Sequence, residues 1–382
     1  MAMLPFLKKF RKEISKLDNV NVEFSPPGKW SSTGNYALNR SLSGSYFKAI
    51  PQGRLTGFVG PSAAGKSYIV CNCIREAQKD GDHALVLDSE NALDPQFMKR
   101  AGVNISDEAL TYVQVVTIQD VTAVISEFFS NYDKEYGKNN KAGPGLFIVL
   151  DSLGNCLTDS ENEKFEKGVQ TGDQGQSAKN KKHLLRTLVS RLARYNATFV
   201  FTDQVYPQDP KLGDGLWAVT NGVKYSASLI ALLTKLKLKE DAEVVGIMMR
   251  IENYKSRFVK PGTRIEVDIP FLTGLSSTAG LIEAWEVDGI ITKEGFSWLV
   301  EVNGETIKFK KSALDDELAL KILKGNTKIQ AIEKSFSDLE ETELFMPTAE
   351  LPEKAESKGF LGSMVDPETG EILSLGNIEE KE

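Results

Sequence analysis

The segment Gly60-Pro61-Ser62-Ala63-Ala64-Gly65-Lys66-Ser67 constrains this chain more than any other. It runs from the apolar stretch 55–59 into a predicted helix beginning near Lys66, with the spacing of a Walker A phosphate-binding loop. Gly60 and Gly65 allow the tight turn that aims backbone N–H groups at the β- and γ-phosphates of a nucleotide, and the helix N-terminus adds positive potential. Lys66 is the candidate for neutralising phosphate oxygens, and the Ser67 hydroxyl for binding Mg2+.

The 382 residues are enough for a full core and a satellite domain. No apolar run approaches the roughly 18 residues of a membrane span. Residues 1–17 are basic and lack the continuous apolar core of a signal peptide, so a cytoplasmic, non-secreted protein is expected. Cys71, Cys73 and Cys156 also argue for a reducing compartment, and with only His83 and His183 beside them they argue against a zinc site. The net charge of -7 is unevenly spread: residues 336–382 hold 13 acidic and 3 basic side chains, leaving +3 on residues 1–335. With Pro347, Pro352 and Pro367 and no sustained apolar period, 336–382 reads as a disordered acidic tail. Such a tail serves solubility, competes with DNA or docks partners.

Ahead of the loop, Leu7, Phe10, Ile14 and Leu17 recur at helical spacing among basic residues, which predicts a short amphipathic helix. Residues 19–24 alternate like a strand before Ser25-Pro26-Pro27-Gly28 breaks it. This arm packs either on its own domain or on a neighbouring subunit. After the loop, apolar runs at 55–59, 84–87, 111–116, 146–150 and 198–201 are mostly separated by helix-length segments, predicting a parallel sheet covered by helices. Runs at 229–236, 245–252 and 264–269 follow with short connections and predict antiparallel strands extending that sheet.

Ligands of such sheets lie beyond the carboxyl ends of the strands, and three polar groups fall there. Asp88-Ser89-Glu90 offers Glu90 as the base for a water attacking the γ-phosphate; the alternative is that Asp88 and Glu90 cap a helix. Phe147-Ile148-Val149-Leu150-Asp151 has the pattern of a Walker B strand, whose Asp151 holds Mg2+ through water. The run 198–201 leads through Asp203 to Gln204, an amide that either senses the γ-phosphate or is structural. Two polar stretches too long for simple connections follow, at about 159–175 and 205–222. The second carries Tyr206, Lys211 and Trp217 among glycines, giving charge for phosphates and rings for bases.

Together these segments resemble the RecA family of DNA strand-exchange ATPases, and within it the phage recombinases of the UvsX kind. The likeness is carried by Ser32-Thr33-Gly34, the loop 60–67, the segment 88–95, Arg100-Ala101-Gly102-Val103, Asp151-Ser152, Gly172-Asp173 and Gln204. It continues through Lys224-Tyr225-Ser226-Ala227-Ser228 and Gly280-Leu281-Ile282-Glu283 to Gly295-Phe296-Ser297-Trp298. The resemblance implies a RecA-like P-loop core over 35–280 and an N-terminal oligomerisation arm over 1–34 that brings Phe10 to a neighbouring subunit. It implies a small α+β carboxyl-terminal domain over 281–335, with Lys308, Lys310 and Lys311 suited to duplex DNA, and the acidic tail over 336–382.

The resemblance also implies roles for single residues. Glu90 is expected to activate water, Asp151 and Ser67 to hold Mg2+, and Gln204 to report the γ-phosphate to DNA-binding loops at 159–175 and 205–222. The nucleotide is expected against 60–67, Tyr68, Asp94, which matches an adenine-contacting aspartate, and Phe97, which stands where bacterial members place a tyrosine. Lys255 is expected to reach the neighbouring subunit's ATP, although bacterial members have two lysines there, and Lys224 and Tyr225 to touch the next subunit. Lys179 and Arg186 share a helix face and match phosphate-contacting arginines. The implied activity is a DNA-dependent ATPase, using ATP and Mg2+, that forms a helical filament on single-stranded DNA and exchanges strands with a homologous duplex. The implied partners are single- and double-stranded DNA, further copies of the chain, and mediator and single-strand-binding proteins in the cytoplasm of a phage-infected bacterium. The alternatives are a RecA-like scaffold that binds proteins, a hexameric helicase, and a P-loop kinase with an acceptor pocket and an arginine-bearing lid.

Overall fold

The structure, a computed structural model, describes residues 4–17, 26–137, 143–169, 175–207, 217–240, 243–270 and 274–342, with two short strands beyond them. Met1–Glu341 form one compact unit. It opens with α1 (Pro5–Ile14), which stacks Phe6 on Phe10 and buries no side chain. The predicted strand at 19–24 lies outside the described residues. β1 (Trp30–Ser31) and β2 (Ile50–Pro51) pair around α2 (Tyr36–Ser43), whose first turn is capped by Asn35 accepting the Leu38 N–H at 2.8 Å.

The core then alternates strand and helix. β3 (Leu55–Val59) leads into α3 (Lys66–Lys79), β4 (His83–Asp88) into α4 (Pro95–Arg100), and β5 (Leu110–Gln114) into α5 (Ile118–Tyr136). β6 (Leu146–Asp151) is followed by α6 (Asp159–Glu166) and α7 (Gln176–Leu192), and β7 (Ala197–Asp203) by the short pair β8 (Tyr206–Pro207) and β9 (Trp217–Ala218). After α8 (Asn221–Ser226) come β10 (Leu229–Glu240), β11 (Glu243–Ser256) and β12 (Arg264–Pro270). The eight-stranded sheet has the order β12-β11-β10-β3-β7-β6-β4-β5. Every residue of β3, β6 and β7 is buried, because helices cover both faces; this is why those segments read as unbroken apolar runs. β10 runs parallel to β3, contrary to the antiparallel expectation for 229–236, and only β11 and β12 are antiparallel additions. The segment 229–236 is preceded by a helix rather than a tight turn, and that crossover allows the parallel return.

α9 (Leu281–Val287), the antiparallel sheet β13 (Ile291–Glu294), β14 (Ser297–Val302) and β15 (Glu305–Phe309), and α10 (Asp316–Gly325) complete the carboxyl-terminal part. Its core of Trp285, Val300 and Ile322 also takes Tyr46 from the α2–β2 connection, so this part shares one compact unit with the eight-stranded sheet. Lys308 and Lys311 are paired with Glu294 and Glu283 at 2.5 and 2.6 Å. α11 (Thr327–Thr342) extends past the point where the sequence suggests a tail. Phe336 is buried with its ring edge-on to Trp30 at 5.1 Å, and Glu333 accepts from the Ser45 hydroxyl at 2.6 Å and the Tyr46 N–H at 2.7 Å. A boundary at 336 is therefore too early: tertiary contacts from residues near the N-terminus hold a helix whose own charge pattern resembles the tail. The second unit, Thr342–Glu382, shows the antiparallel pair β16 (Met364–Val365) and β17 (Ile372–Leu373) among its described residues.

Candidate nucleotide site and loop-bearing edge

Parallel register lines up the carboxyl ends of the central strands. Val59 pairs with Asp203 across β3 and β7, and Asp88 with Asp151 across β4 and β6. The phosphate loop leaves β3 at this edge. A Cβ on Gly60 would lie 2.3 Å from the backbone Leu233 O, which excludes a side chain there, and Gly65, at φ +91°, would place one 2.2 Å from Met249 Cε in a strained left-handed conformation. No side chain caps the N-terminus of α3, which leaves its N–H groups for an anion. The Lys66 ammonium donates to Gly60 O and Pro61 O, 3.0 Å each. Burial lowers the Lys66 pKa, opposed by the nearby carboxylates of Glu90, Asp151 and Asp203.

Asp151 is buried, and one of its oxygens accepts from the Thr202 hydroxyl. The other, Oδ2, has no hydrogen-bond partner of good geometry among the described residues. Burial raises its pKa, opposed by the Thr202 and Ser67 hydroxyls. An under-satisfied buried carboxylate oxygen beside Ser67 at the mouth of a phosphate loop is what a hydrated Mg2+ needs, and no cage of three or more His, Cys, Asp or Glu forms among the described residues.

Glu90 is exposed at the end of β4 and is aimed by its neighbours. The Ser152 hydroxyl donates to Glu90 Oε1 at 2.6 Å, and Ser89 Oγ donates to Ser152 O at 2.7 Å while accepting the Ser152 N–H at 3.0 Å. Asp88, fully buried, does not cap a helix. It accepts the N–H groups of Glu90 at 2.9 Å and Leu93 at 3.1 Å and the Tyr112 hydroxyl at 2.8 Å, folding 89–93 into a fixed loop. The Tyr112 hydroxyl is pushed up to about 12 by burial and by that bond to Asp88. Asp94 caps α4 by accepting the Gln96 and Phe97 N–H groups at 2.8 and 3.1 Å, and the Phe97 ring meets Tyr68 edge-on at 6.3 Å. Tyr68 itself accepts the Leu275 N–H at 2.8 Å.

Two segments leave the same edge. The first is not one long loop: Thr158 and Glu161 form a reciprocal capping box that starts α6, and α7 begins at Gln176. Lys179 and Arg186 are exposed along α7. The second starts at Gln204, whose amide donates to Asn155 Oδ1 at 3.4 Å. Its ends pair as β8 and β9; Tyr206 is 58% exposed, while Trp217 is half-buried against the core under β7. Trp217 is thus partly a packing residue as well as a ring at the end of the segment. Lys211 lies outside the described residues.

The residues expected at subunit contacts are spread along another part of the surface. Lys255 donates to Lys224 O and Ala227 O at 2.6 and 2.7 Å, closing the carboxyl end of α8 within its own chain, and burial lowers its pKa, helped by Arg257 and Lys224. Lys224 lies over the Tyr254 ring at 5.7 Å, Tyr225 is 70% exposed, and Phe10 is 50% exposed on α1. Sequence reasoning missed Ser89, Tyr112, Asn155, Lys181 and Thr202. Hydroxyls at strand ends were the available signal for Ser89 and Thr202; the others come together only through the sheet.

Residues 7–276 match the model of the RecA N-terminal domain. The chain belongs to the RecA family. The "Protein RecA" of Nitratidesulfovibrio vulgaris strain DP4 is 27% identical over 274 residues, 70% of this chain and 70% of its own. That of Paracoccus denitrificans is 26% identical over 271 residues, again 70% of each chain. That of Helicobacter pylori is 26% identical over 326 residues, 81% of this chain and 84% of its own. As a RecA-family chain it is a DNA-dependent ATPase of the recombinase class.

Proposed function

We propose that the chain polymerises on single-stranded DNA as a helical filament with ATP between subunits, and that nucleotide state controls its grip on DNA. One observation carries this reading: the phosphate loop, Glu90, Asp151 and Gln204 share one sheet edge, and both long polar segments depart from it. Phosphates arriving at α3 would draw the Lys66 ammonium from the carbonyls of Gly60 and Pro61. Glu90, held by Ser152, is placed to take a proton from the attacking water, and Gln204 to exchange its Asn155 contact for one to the γ-phosphate. Ser67 and Asp151 would hold Mg2+, which when bound neutralises charge on the phosphate oxygens. Lys179 and Arg186 on α7, and Tyr206, Lys211 and Trp217 in the second segment, are the candidate DNA contacts. Lys224, Tyr225 and Lys255 are the candidate contacts to the next subunit, with Phe10 on its arm. The UvsX-like wording of the sequence supports a phage setting with loading and single-strand-binding partners. No described helix is long and apolar enough to cross a membrane.

The test is ATP hydrolysis with and without single-stranded DNA across a salt series, with Lys66→Ala as the blank. Stimulation that fades steeply with salt is expected. Absence of stimulation at low salt would move the reading to a protein-binding ATPase.

A further inference from the structure

One carboxylate holds both ends of the second polar segment. Asp203 Oδ1 accepts the Gln204 N–H at 2.9 Å, where the segment starts, and Oδ2 accepts the Thr220 hydroxyl at 3.4 Å, where it ends at α8. The backbone carbonyl of Asp203 accepts the N–H of Gly60, the first residue of the phosphate loop, at 3.1 Å. Asp203 is only 5% exposed.

The turn after β6 passes close to the same group, near enough that a Cβ on Gly154 would sit 2.9 Å from Asp203 Oδ1. That turn is tied to α7 by Lys181, whose ammonium donates to Gly154 O at 2.6 Å. Lys181 lies five residues into α7, the helix that leaves the first polar segment. Phosphate loop, post-β6 turn and the exits of both polar segments therefore meet at one buried acid. Among the described residues, the cations that act most strongly on it are Lys66 from α3 and Lys181 from α7.

A buried carboxylate is costly, and a neutral amide could still accept the Gln204 N–H and donate to the Thr220 hydroxyl oxygen, so folding alone does not call for the charge. What the charge adds is sensitivity to its neighbours. We infer that Asp203 and Lys181 are positioning residues that couple the nucleotide site to both DNA-binding segments. Asp203 clasps the base of the second segment, and Lys181 ties the helix of the first to the same point. A triphosphate that engages Lys66 withdraws one of the two cations facing Asp203, which shifts the balance of the clasp toward Lys181 and away from Thr220. This rests on the functional reading above, because it presumes that nucleotide state sets DNA affinity.

The experiment measures affinity for a labelled oligothymidylate by fluorescence anisotropy, with a slowly hydrolysed ATP analogue and with ADP, at one salt concentration. Wild type is compared with Asp203→Asn, Lys181→Met, Lys181→Arg and the Asp203→Asn/Lys181→Met double variant. The readout is the ratio of the two affinities, since a merely structural defect lowers both alike. Asp203→Asn and Lys181→Met should each shrink that ratio about fivefold or more, within the usual range of allosteric coupling. The double variant should lose no more than either single, because both act through one contact cluster, and Lys181→Arg should keep the wild-type ratio. Asp203→Asn and Lys181→Met with a wild-type ratio would overturn the inference while leaving the functional reading intact. A wild-type chain whose DNA affinity ignores the nucleotide would overturn both.

Discussion

Asp203 shows how a single buried side chain links stability to function. Burial pushes its carboxyl up to about 6, opposed by the Gln204 N–H, Lys181, the Thr220 hydroxyl and Lys66. An unfolded aspartate releases its proton near pH ~4, so between that value and 6 the folded chain binds the extra proton. The stability this group contributes is full below about pH 4 and is lost as pH rises through 6. Asp203→Asn should therefore be more stable than wild type at pH 7.5 by roughly 3 kcal/mol, with the gap closing toward pH 4. Chemical denaturation at both pH values checks this, and an equal gap at both would refute it. Gly65 makes a steric prediction at the same scale. Gly65→Ala places a methyl group on Met249 in a left-handed turn and should weaken ATP binding by about tenfold or more, with Met249→Ala restoring part of it. Nucleotide titration of the two variants decides. Tyr112→Phe removes one of three donors to the buried Asp88 and should cost about 1–2 kcal/mol in thermal unfolding while slowing hydrolysis more than it weakens ATP binding.

Among the elements, α1 and α11 differ in what holds them. α1 exposes Phe6, Leu7 and Phe10, and its N-cap Leu4 is exposed too, so these side chains add little to the stability of their own unit. Phe10→Ala should leave the melting temperature unchanged and lower the average assembly size in analytical ultracentrifugation. Loss of stability with assembly intact would count against a role for this arm between subunits. α11 is held by contacts at 30–48: Trp30 on Phe336, Lys48 over the same ring at 5.3 Å, and the Glu333 bonds to Ser45 and Tyr46. Truncation after Ser335 should destabilise the unit by about 3 kcal/mol through loss of the buried Phe336 side chain, whereas truncation after Thr342 keeps it. Calorimetry of the two truncations separates a structural helix from a tail.

The whole molecule is a charge-divided object. Residues 343–382 carry ten acidic and three basic side chains, so they account for the entire net charge of -7. Without them the chain is neutral overall, and its affinity for single-stranded DNA should rise several-fold at low salt. That gain should shrink as salt approaches the roughly 0.15 M at which the Debye length falls to about 8 Å. A gain that persists at high salt would point to a specific contact by the tail rather than charge competition.

The local and the periodic were legible in the amino-acid order. A glycine at two fixed positions, a lysine and a hydroxyl define the phosphate loop because backbone geometry permits little else there. The apolar runs reveal the parallel strands because both faces of that sheet are covered. Family membership followed from the combination of such segments along the chain. Three things could not be read in one dimension. β10 returns parallel to β3, and the choice depends on a crossover, not on its own alternation. Asp88 holds the Glu90 loop through the nearby Glu90 and Leu93 N–H groups, but its third donor, Tyr112, is brought beside it by β5 from 24 residues away. Lys255, which the resemblance directs toward a neighbouring subunit's ATP, donates within its own chain to the carbonyls of Lys224 and Ala227 at the end of α8. Sequence by itself determined the chemistry of the phosphate loop and the class of the sheet, since both depend on residue type and short-range spacing. Tertiary structure alone decided which polar groups converge on the strand ends, because register between strands distant in sequence sets those distances.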